Sequence, residues 1–541
     1  MAISDTLIRQ LEDLHAIGIA LSAEHNHQRL LEMIVISAKR LTNADAGTLY
    51  IVTPDNTLHF EIMRTSSLGI AMGGTTGNPI PFQPLPLYLD DGRPNHHMVA
   101  AYAVLNDCTV NIEDAYEAEG FDFSGTSQFD ASTGYRSCSF LTVPMKNHEG
   151  DIIGVLQLIN AKDAATGEIT SFSKYSQHLV ESLASQAAIA LTNHQLIEGL
   201  KGLFEAFIRL IAGAIDAKSP YTGDHCRRVP ELAMMLADAV NRTESGPLKD
   251  FYMDEEELDE LRIAAWIHDC GKVAIPDSLM DKPTKLSTLF DRIVLLEQRF
   301  ALLKKQMECR LLRQQLQAVR QGQAQDEALL AQEHADSVRR LDEDLNFLRQ
   351  VNMGSESMSE EEQERVRAIA QYRLEDPQGN ETSFLSEEEV YNLTIKSGTL
   401  TPEERQMVNH HIVVTIEMLE SLPYPPGLRR IPEYAGGHHE RMDGRGYPRG
   451  LRREQLSIPA RMMGIVDIFE ALTSADRPYK KAKTLSETLQ ILGNMKLNQH
   501  IDPDLFDVFI REKVYLQYAH LYLQPEQIDE VDETKVPGYQ P

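Results

Sequence analysis

Residues 263–272 read Ile-Ala-Ala-Trp-Ile-His-Asp-Cys-Gly-Lys, an apolar run that ends in a histidine and a carboxylate. Burying a carboxylate beside apolar residues costs free energy unless the group is paired or bound to a metal ion. Successive helical residues point about 100° apart, so the adjacent His268 and Asp269 can face two neighbouring ions from one helix. The run therefore predicts a helical domain with a buried metal site.

The chain carries further candidate ligands on both sides of this pair. Asp467 lies between Val466 and Ile468 on an apolar helical segment, where an unpaired carboxylate would be costly. Taken singly, a histidine is more often a packed or exposed residue than a metal ligand. Together the candidates offer only nitrogen and oxygen atoms: His225, His268, Asp269, His411, His438, His439 and Asp467. Such a set suits iron, manganese or another divalent ion of similar hardness, in a site with room for two ions, rather than structural zinc.

The composition excludes several classes of function. The chain has 541 residues, and its 52 Lys and Arg against 81 Asp and Glu give a net charge of −29. This acidity argues against broad binding of nucleic acids or anionic membranes, so an anionic substrate needs a local positive site. No signal peptide and no apolar run of about 18 residues are evident, which predicts a cytoplasmic protein. The cysteines are scattered without a Cys-x-x-Cys pair, which argues against a disulfide framework or a zinc–thiolate site.

The first part of the chain, residues 1–195, predicts an α/β domain. Helical periodicity near the N-terminus is followed by alternating apolar segments joined by turns. The predicted strands are 47–53, 57–63, 139–146 and 152–160. A helix begins near Ser173 and continues with only Gly202 and Gly213 as weak breakers, which predicts a connecting helix over 196–217. Such a helix can transmit a rotation between domains or bury one face in a homodimer.

The second part predicts an all-α domain that is interrupted by an insertion. The candidate ligands lie in its helical segments, before and after the insertion. Within the insertion, heptad-like runs at 289–307 and 338–348 predict an antiparallel helical hairpin, and residues 353–383 predict a polar loop with a short helix. Since the insertion holds no catalytic cluster, it is interpreted as an interaction or spacer arm. The predicted boundaries are 218–282 with 396–515 for the all-α domain, 283–395 for the insertion and 516–541 for a C-terminal tail.

Three stretches of the all-α domain resemble the motifs of the HD-GYP family, within the HD phosphohydrolase superfamily. His268-Asp269 with Gly271-Lys272 is similar to the first motif of that family. The run His438-His-Glu-Arg-Met-Asp-Gly-Arg-Gly-Tyr-Pro448 closely resembles the second motif. The run Asp467-Ile-Phe-Glu-Ala-Leu-Thr-Ser-Ala-Asp-Arg-Pro-Tyr479 is similar to the closing motif. The resemblance covers roughly residues 200–500 outside the insertion.

The resemblance implies a phosphodiesterase that hydrolyses cyclic di-GMP to pGpG or onward to GMP. It assigns the seven candidate residues above as metal ligands, with Asp269 bridging two ions of iron or manganese. His411 is preferred to His410 because Thr415 follows four residues later, where family members carry Gly or Thr. Tyr221 stands where some members carry a glutamate for a third ion, so the resemblance implies a two-metal site.

The chemistry that follows is an in-line displacement at phosphorus. Two ions about 3.5–4 Å apart can provide a bridging hydroxide near neutral pH. Asp269 and Lys272 are the candidate catalytic residues, and Lys272, Arg477 and Lys480 are the candidate ligands of the substrate phosphate. The alternative for Arg477 and Lys480 is an exposed pair after a helix. Because histidine ligands must be neutral, we expect activity to fall toward acid pH.

The N-terminal domain resembles a GAF domain in the style of cyclic-nucleotide phosphodiesterases, over about residues 20–195. The resemblance rests on Asn111-Ile-Glu-Asp-Ala-Tyr116, Thr133-Gly-Tyr-Arg-Ser137, Val143-Pro-Met145 and Gly154-Val-Leu-Gln-Leu-Ile-Asn160. It implies a sensor domain that binds a small ligand or only dimerises, and the ligand stays open.

The leading hypothesis is therefore a GAF-regulated, metal-dependent phosphodiesterase of cyclic di-GMP. Two alternatives stay open: a receptor that binds a cyclic dinucleotide without cleaving it, and a hydrolase of another cyclic dinucleotide. The expected partners are cyclic di-GMP, a ligand of the GAF domain and a second copy of the chain, with neither nucleic acid nor membrane. The Gly446-Tyr447-Pro448 loop either shapes the pocket or contacts a protein partner, and a partner could also dock on the insertion.

Overall fold

In the computed structural model, strand Ala44–Val52 pairs with Thr57–Thr65 on one side and with Ile152–Lys162 on the other. Every pairing in this sheet is antiparallel. From one edge to the other, the strand order is Ile70–Gly73, Thr57–Thr65, Ala44–Val52, Ile152–Lys162, Phe140–Lys146 and Val110–Ile112, with Leu85–Pro86 beside the second and Ile169–Thr170 beside the fourth. The sheet confirms the predicted α/β domain, and each predicted strand overlaps an observed one.

The structure describes residues 2–218, 224–322, 327–355, 357–474 and 482–540. The chain divides into two units, Met1–Leu203 and Phe204–Pro541. Within the described residues, no helix is long and apolar enough to cross a membrane.

Helices pack on both faces of the sheet in the first unit. One face carries Ala2–Ala23, His27–Thr42 and the start of Lys174–Lys218. The other face carries Val99–Leu105 and Ser124–Thr133. Asn26 interrupts the predicted helix over residues 6–41, because its side chain accepts the N–H of Arg29 and begins a new helix there. Alternate residues of a strand point to opposite faces. Leu49 is therefore buried in the main core, whereas Tyr50 lines a cavity of about 630 Å³ on the opposite face.

The second unit is a helical domain. Its helices outside the insertion are His225–Asn241, Glu255–Ile267, Asp277–Met280, Pro402–Asn409, His411–Glu420, Ile431–Gly436, Ile458–Thr473, Leu485–Leu497, Pro503–Arg511 and Val514–Tyr522. One core joins most of them, and it includes Leu236, Val466 and Phe509. Tyr518 and Val536 are buried in the same core, so the segment predicted as a C-terminal tail packs as part of this domain.

The insertion has its own small core. Helices Ile293–Arg320 and Glu327–Asn352 form the predicted hairpin. The segment predicted as a polar loop with a short helix is more ordered than expected, with helices Glu360–Ile369 and Glu387–Leu393 and a strand pair, Arg373–Glu375 with Glu381–Ser383. Phe300 and Phe384 meet edge to face at 4.7 Å between ring centroids and join the hairpin to this segment. Leu289, expected in the hairpin, precedes the helix and is 98% exposed.

Candidate metal centre

The candidate ligands come from separate helices and converge at one place in the second unit. Most lie at or near a helix end. His225 begins helix His225–Asn241 and His411 begins helix His411–Glu420. His268 and Asp269 follow Glu255–Ile267 directly, and His438 and His439 follow Ile431–Gly436. Asp467 lies within Ile458–Thr473.

The ligand atoms form two groups. The first group is His225, His268, Asp269 and Asp467, with one donor atom of each within 4.8 Å of the others. His225 Nε2 lies 3.3 Å from Asp467 Oδ1, and His268 Nε2 lies 3.2 Å from Asp269 Oδ2. The second group is His411, His438 and His439, with the Nε2 atoms of His411 and His439 at 3.2 Å.

Asp269 faces both groups at once. Its Oδ2 lies toward His268 and His225, at 3.2 and 3.7 Å from their Nε2 atoms. Its Oδ1 lies toward the second group, at 3.2 Å from His411 Nε2 and 4.0 Å from His438 Nε2. One carboxylate therefore connects the two groups through its two oxygens.

Three histidines are oriented by the backbone of their own chain segment. The Nδ1 atoms of His268, His411 and His438 donate to the carbonyl oxygens three residues earlier, at 2.8, 2.6 and 2.7 Å. A carbonyl only accepts, so each Nδ1 carries the proton and each Nε2 keeps its lone pair for the site. This is the arrangement that metal-binding histidines show in proteins.

Two buried nitrogen atoms indicate that the site is built for a cation. His268 Nε2 and His438 Nε2 are buried and make no hydrogen bond within the described residues. A buried polar atom without a partner costs free energy. Both atoms face the site with a lone pair, and a divalent cation would satisfy both, so the residues fit the metal ions that the sequence predicts.

The charges of the site match a metal centre. Burial alone would raise the pKa of Asp269, but Lys272 and His268 hold it well below its ordinary value, and the histidines around Asp467 do the same. Burial lowers the pKa of His438 strongly and that of His439 to about 4, so both stay neutral near pH 7. Burial also lowers the pKa of His268, but Asp269 and Asp467 outweigh it and raise the value to about 9. Without a metal ion, Nε2 of His268 would therefore hold a proton near pH 7, which a bound ion would replace. The first group therefore attracts positive charge.

The other predicted site residues lie in different places. Lys272 Nζ lies 2.6 Å from Asp269 Oδ2, at the edge of the first group. His410, the alternative to His411, is exposed and belongs to neither group. Arg477 and Lys480, predicted to bind phosphate, and Tyr221, at the third-ion position, lie outside the described residues.

The sequence analysis missed Glu470 as a part of the site, whereas it placed Tyr447 in a loop that either shapes the pocket or contacts a partner. Glu470 accepts from Nδ1 of His225, which leaves His225 Nε2 facing the site. Tyr447 stacks its ring on His439 at 4.7 Å with an interplanar angle of 25°. The signal for Glu470 was a second carboxylate on an apolar helix, three residues after Asp467.

Models of known families match both parts of the chain. A model described as GAF domain matches residues 26–191, and two models described as HD domain match residues 222–340 and 387–505. The chain therefore contains a GAF domain followed by an HD domain.

Curated relatives align with a short part of the chain. A 3′3′-cGAMP-specific phosphodiesterase 1 of Vibrio cholerae is 36% identical over 116 residues, which cover 21% of this chain and 26% of the relative. A cyclic di-GMP phosphodiesterase of Pseudomonas aeruginosa is 38% identical over 116 residues, with 21% and 27% covered. One of Thermotoga maritima is 34% identical over 119 residues, with 22% and 32% covered. The aligned part thus spans less than a third of the length of each of these relatives.

Proposed function

We propose that this chain is a metal-dependent phosphodiesterase that hydrolyses cyclic di-GMP to pGpG or GMP under the control of its GAF domain. The observation that supports this most directly is Asp269, whose two oxygens face two groups of buried ligands. A carboxylate in that position suits a bridge between two divalent ions. The names of the relatives supply the substrate class, a cyclic dinucleotide.

The roles of the chain's own residues follow from their positions. When bound, two divalent ions supply an activated water and neutralise charge that develops at phosphorus. The histidines and the two aspartates would hold the ions, and iron or manganese suits their nitrogen and oxygen donors. Burial would lower the pKa of Lys272, but Asp269 raises it, so the ammonium stays charged beside the site. We assign Lys272, together with Arg477 and Lys480, to the phosphate oxygens of the substrate.

The GAF domain is proposed as the regulatory part. Its cavity of about 630 Å³ is lined by aromatic rings, among them Tyr50, Phe60 and Phe123, and by the amide of Gln157. A concave, mostly apolar pocket with a few polar groups is typical of small-ligand sites. We propose that a small ligand binds there and changes the activity of the HD domain.

A homodimer through helix Lys174–Lys218 is also proposed. Along this helix Ile189, Leu196, Leu203 and Leu210 recur every seven residues, as do Leu200 and Phe207 between them. These side chains are between 45% and 67% exposed. Apolar residues at alternating spacings of three and four are typical of a coiled coil. These six residues form an exposed apolar seam along the helix. No charged residue stands at the positions that flank the seam, which are 190, 192, 197, 199, 204, 206, 211 and 213. Two acidic chains can therefore pair there without like-charge repulsion.

The proposed activity is tested by turnover of the purified full chain. The protein is loaded anaerobically with Fe²⁺ or Mn²⁺ and given cyclic di-GMP or 3′3′-cGAMP, and the products are separated by chromatography. We expect metal-dependent release of pGpG or GMP, reduced at least about 100-fold in Asp269→Asn. His410→Ala is the matched control, since His410 is exposed and adjacent to a ligand, and it should keep full turnover.

The other outcomes separate the alternatives. Faster turnover of 3′3′-cGAMP than of cyclic di-GMP would change the substrate, as the name of one relative suggests. Nucleotide binding without products, in protein that holds both metal ions, would instead make the chain a receptor.

A further inference from the structure

We propose that Glu470, held in place by Arg228, is the positioning residue for His225 and controls metal loading of the first ligand group. The inference rests on the proposed two-metal site. It concerns a contact that joins two helices, with buried His225 and half-buried Arg228 on one and buried Glu470 on the other.

His225 differs from the three histidines that the backbone orients. Those three donate Nδ1–H to the carbonyl oxygen three residues earlier. His225 begins its helix, as His411 does, but its Nδ1 faces a side chain rather than a carbonyl oxygen. A carboxylate from another helix, Glu470, takes its place and accepts from Nδ1 of His225.

Glu470 is fixed from both sides. Its side chain is only 1% exposed, and its second oxygen, Oε1, accepts from Nε of Arg228 at 2.6 Å. Arg228 also donates to Oγ of Ser474 at 3.1 Å. Both carboxylate oxygens are therefore engaged, which leaves Glu470 one orientation toward His225.

Glu470 also shares a helix with a ligand. It follows Asp467 by three residues, and residues three apart lie on the same helix face. His225 Nε2 lies 3.3 Å from Asp467 Oδ1. One helix therefore supplies a ligand of the first group and the residue that aims a second ligand at it.

The consequence is a selective effect on one of two metal ions. A carboxylate that accepts from the far nitrogen of a metal-binding histidine fixes the tautomer and makes the ring a stronger ligand, and its replacement typically costs 10- to 100-fold in metal affinity. The second group does not depend on Glu470, because His411 and His438 are oriented by backbone carbonyls. Loss of Glu470 should therefore weaken the first group only.

The test is Mn²⁺ binding to the metal-free full chain, measured by calorimetry and by metal content after dialysis. In Glu470→Gln, an amide that accepts from His225 must point its NH₂ at the Arg228 guanidinium, so one of the two contacts is lost. We expect one ion to bind as in wild type and the other about 10- to 100-fold more weakly. Glu260→Gln is the control, since Glu260 is also buried, accepts the N–H of Arg430 and should leave both ions unchanged.

The failures are distinguishable. Wild-type protein that binds fewer than two ions contradicts the proposed function. Two ions at wild-type affinity in Glu470→Gln, with or without a lower melting temperature, would overturn this inference alone. Should Glu470→Gln not fold, Arg228→Lys decides the question, because it loosens Glu470 and should weaken the same ion by a smaller factor.

Discussion

At the scale of single residues, Gly271 sets the distance between the two ligand groups. Its N–H donates to Oγ1 of Thr415 at 2.9 Å. A Cβ atom at this position would lie 2.0 Å from the carbonyl oxygen of His411 and 2.5 Å from the backbone nitrogen of Thr415. The turn that follows Asp269 therefore packs directly on the helix that begins with His411, and only glycine allows this approach.

Gly271→Ala should lower the free energy of unfolding by about 1–3 kcal/mol and reduce the metal content, because the added methyl group pushes the ligand helices apart. Denaturant unfolding and metal analysis of the same samples measure both effects. Gly202→Ala is the control, since nothing lies within 4 Å of its Cβ, and in a helix it should add about 0.5–1 kcal/mol of stability. Full metal content and unchanged stability in Gly271→Ala would contradict this account.

Tyr447 is a second residue at the site whose ring and hydroxyl can be tested separately for their effect on metal binding. Its ring stacks on His439, and burial raises the pKa of its hydroxyl to about 12, so it stays protonated. Tyr447→Phe keeps the ring and should bind metal as wild type does. Tyr447→Ala removes the stacking and should weaken metal binding about 10-fold, measured by Mn²⁺ titration. Equal weakening in both variants would show that the hydroxyl rather than the ring is what matters.

At the scale of elements, the sequence predicts those features whose evidence lies within one short stretch of the chain, and it misses those that depend on contacts between distant stretches. The ligand residues could be predicted because their types and spacing are visible along the chain, and the choice of His411 rested on Thr415, which the structure places against Gly271. Glu470 could not be assigned, because its partner His225 lies 245 positions away. The order in the insertion was missed for the same reason, since the core that buries Phe384 includes Phe300 on the hairpin, 84 positions earlier in the chain.

The insertion also contains a buried lysine, Lys285, that should make the stability of the protein depend on pH. Lys285 is 1% exposed and donates to the carbonyl oxygens of Leu393 and Ile395 at 3.0 and 2.9 Å, which ties the start of the insertion to its end. Burial lowers the pKa of Lys285 to about 8, from 10.5. Between these values the unfolded chain binds more protons than the folded one, so this group makes stability rise as pH increases from about 8 to about 10.5.

The effect of Lys285 can be measured by comparing the pH dependence of stability of wild type with that of Lys285→Met. The stability of wild type relative to Lys285→Met should increase over that pH range, measured by denaturant midpoints at several pH values. Lys249→Met, at an exposed position, should show no such difference from wild type. A pH-independent gap between wild type and Lys285→Met would mean that Lys285 has the same pKa in both states.

At the scale of the whole molecule, the exposed seam on helix Lys174–Lys218 predicts self-association. Leu203 is 54% exposed at the middle of the seam, whereas Gly202 is adjacent and lies on the outer face with nothing within 4 Å of its Cβ. Leu203→Lys would place two like charges opposite each other in a parallel pair and should convert the dimer into a monomer in light scattering at micromolar concentration. Gly202→Lys adds the same charge outside the seam and should stay dimeric. None of the seam residues is a metal ligand, so the Leu203→Lys monomer should still bind its metal ions. Loss of both ions together with the dimer would show that the HD domain requires a second copy of the chain.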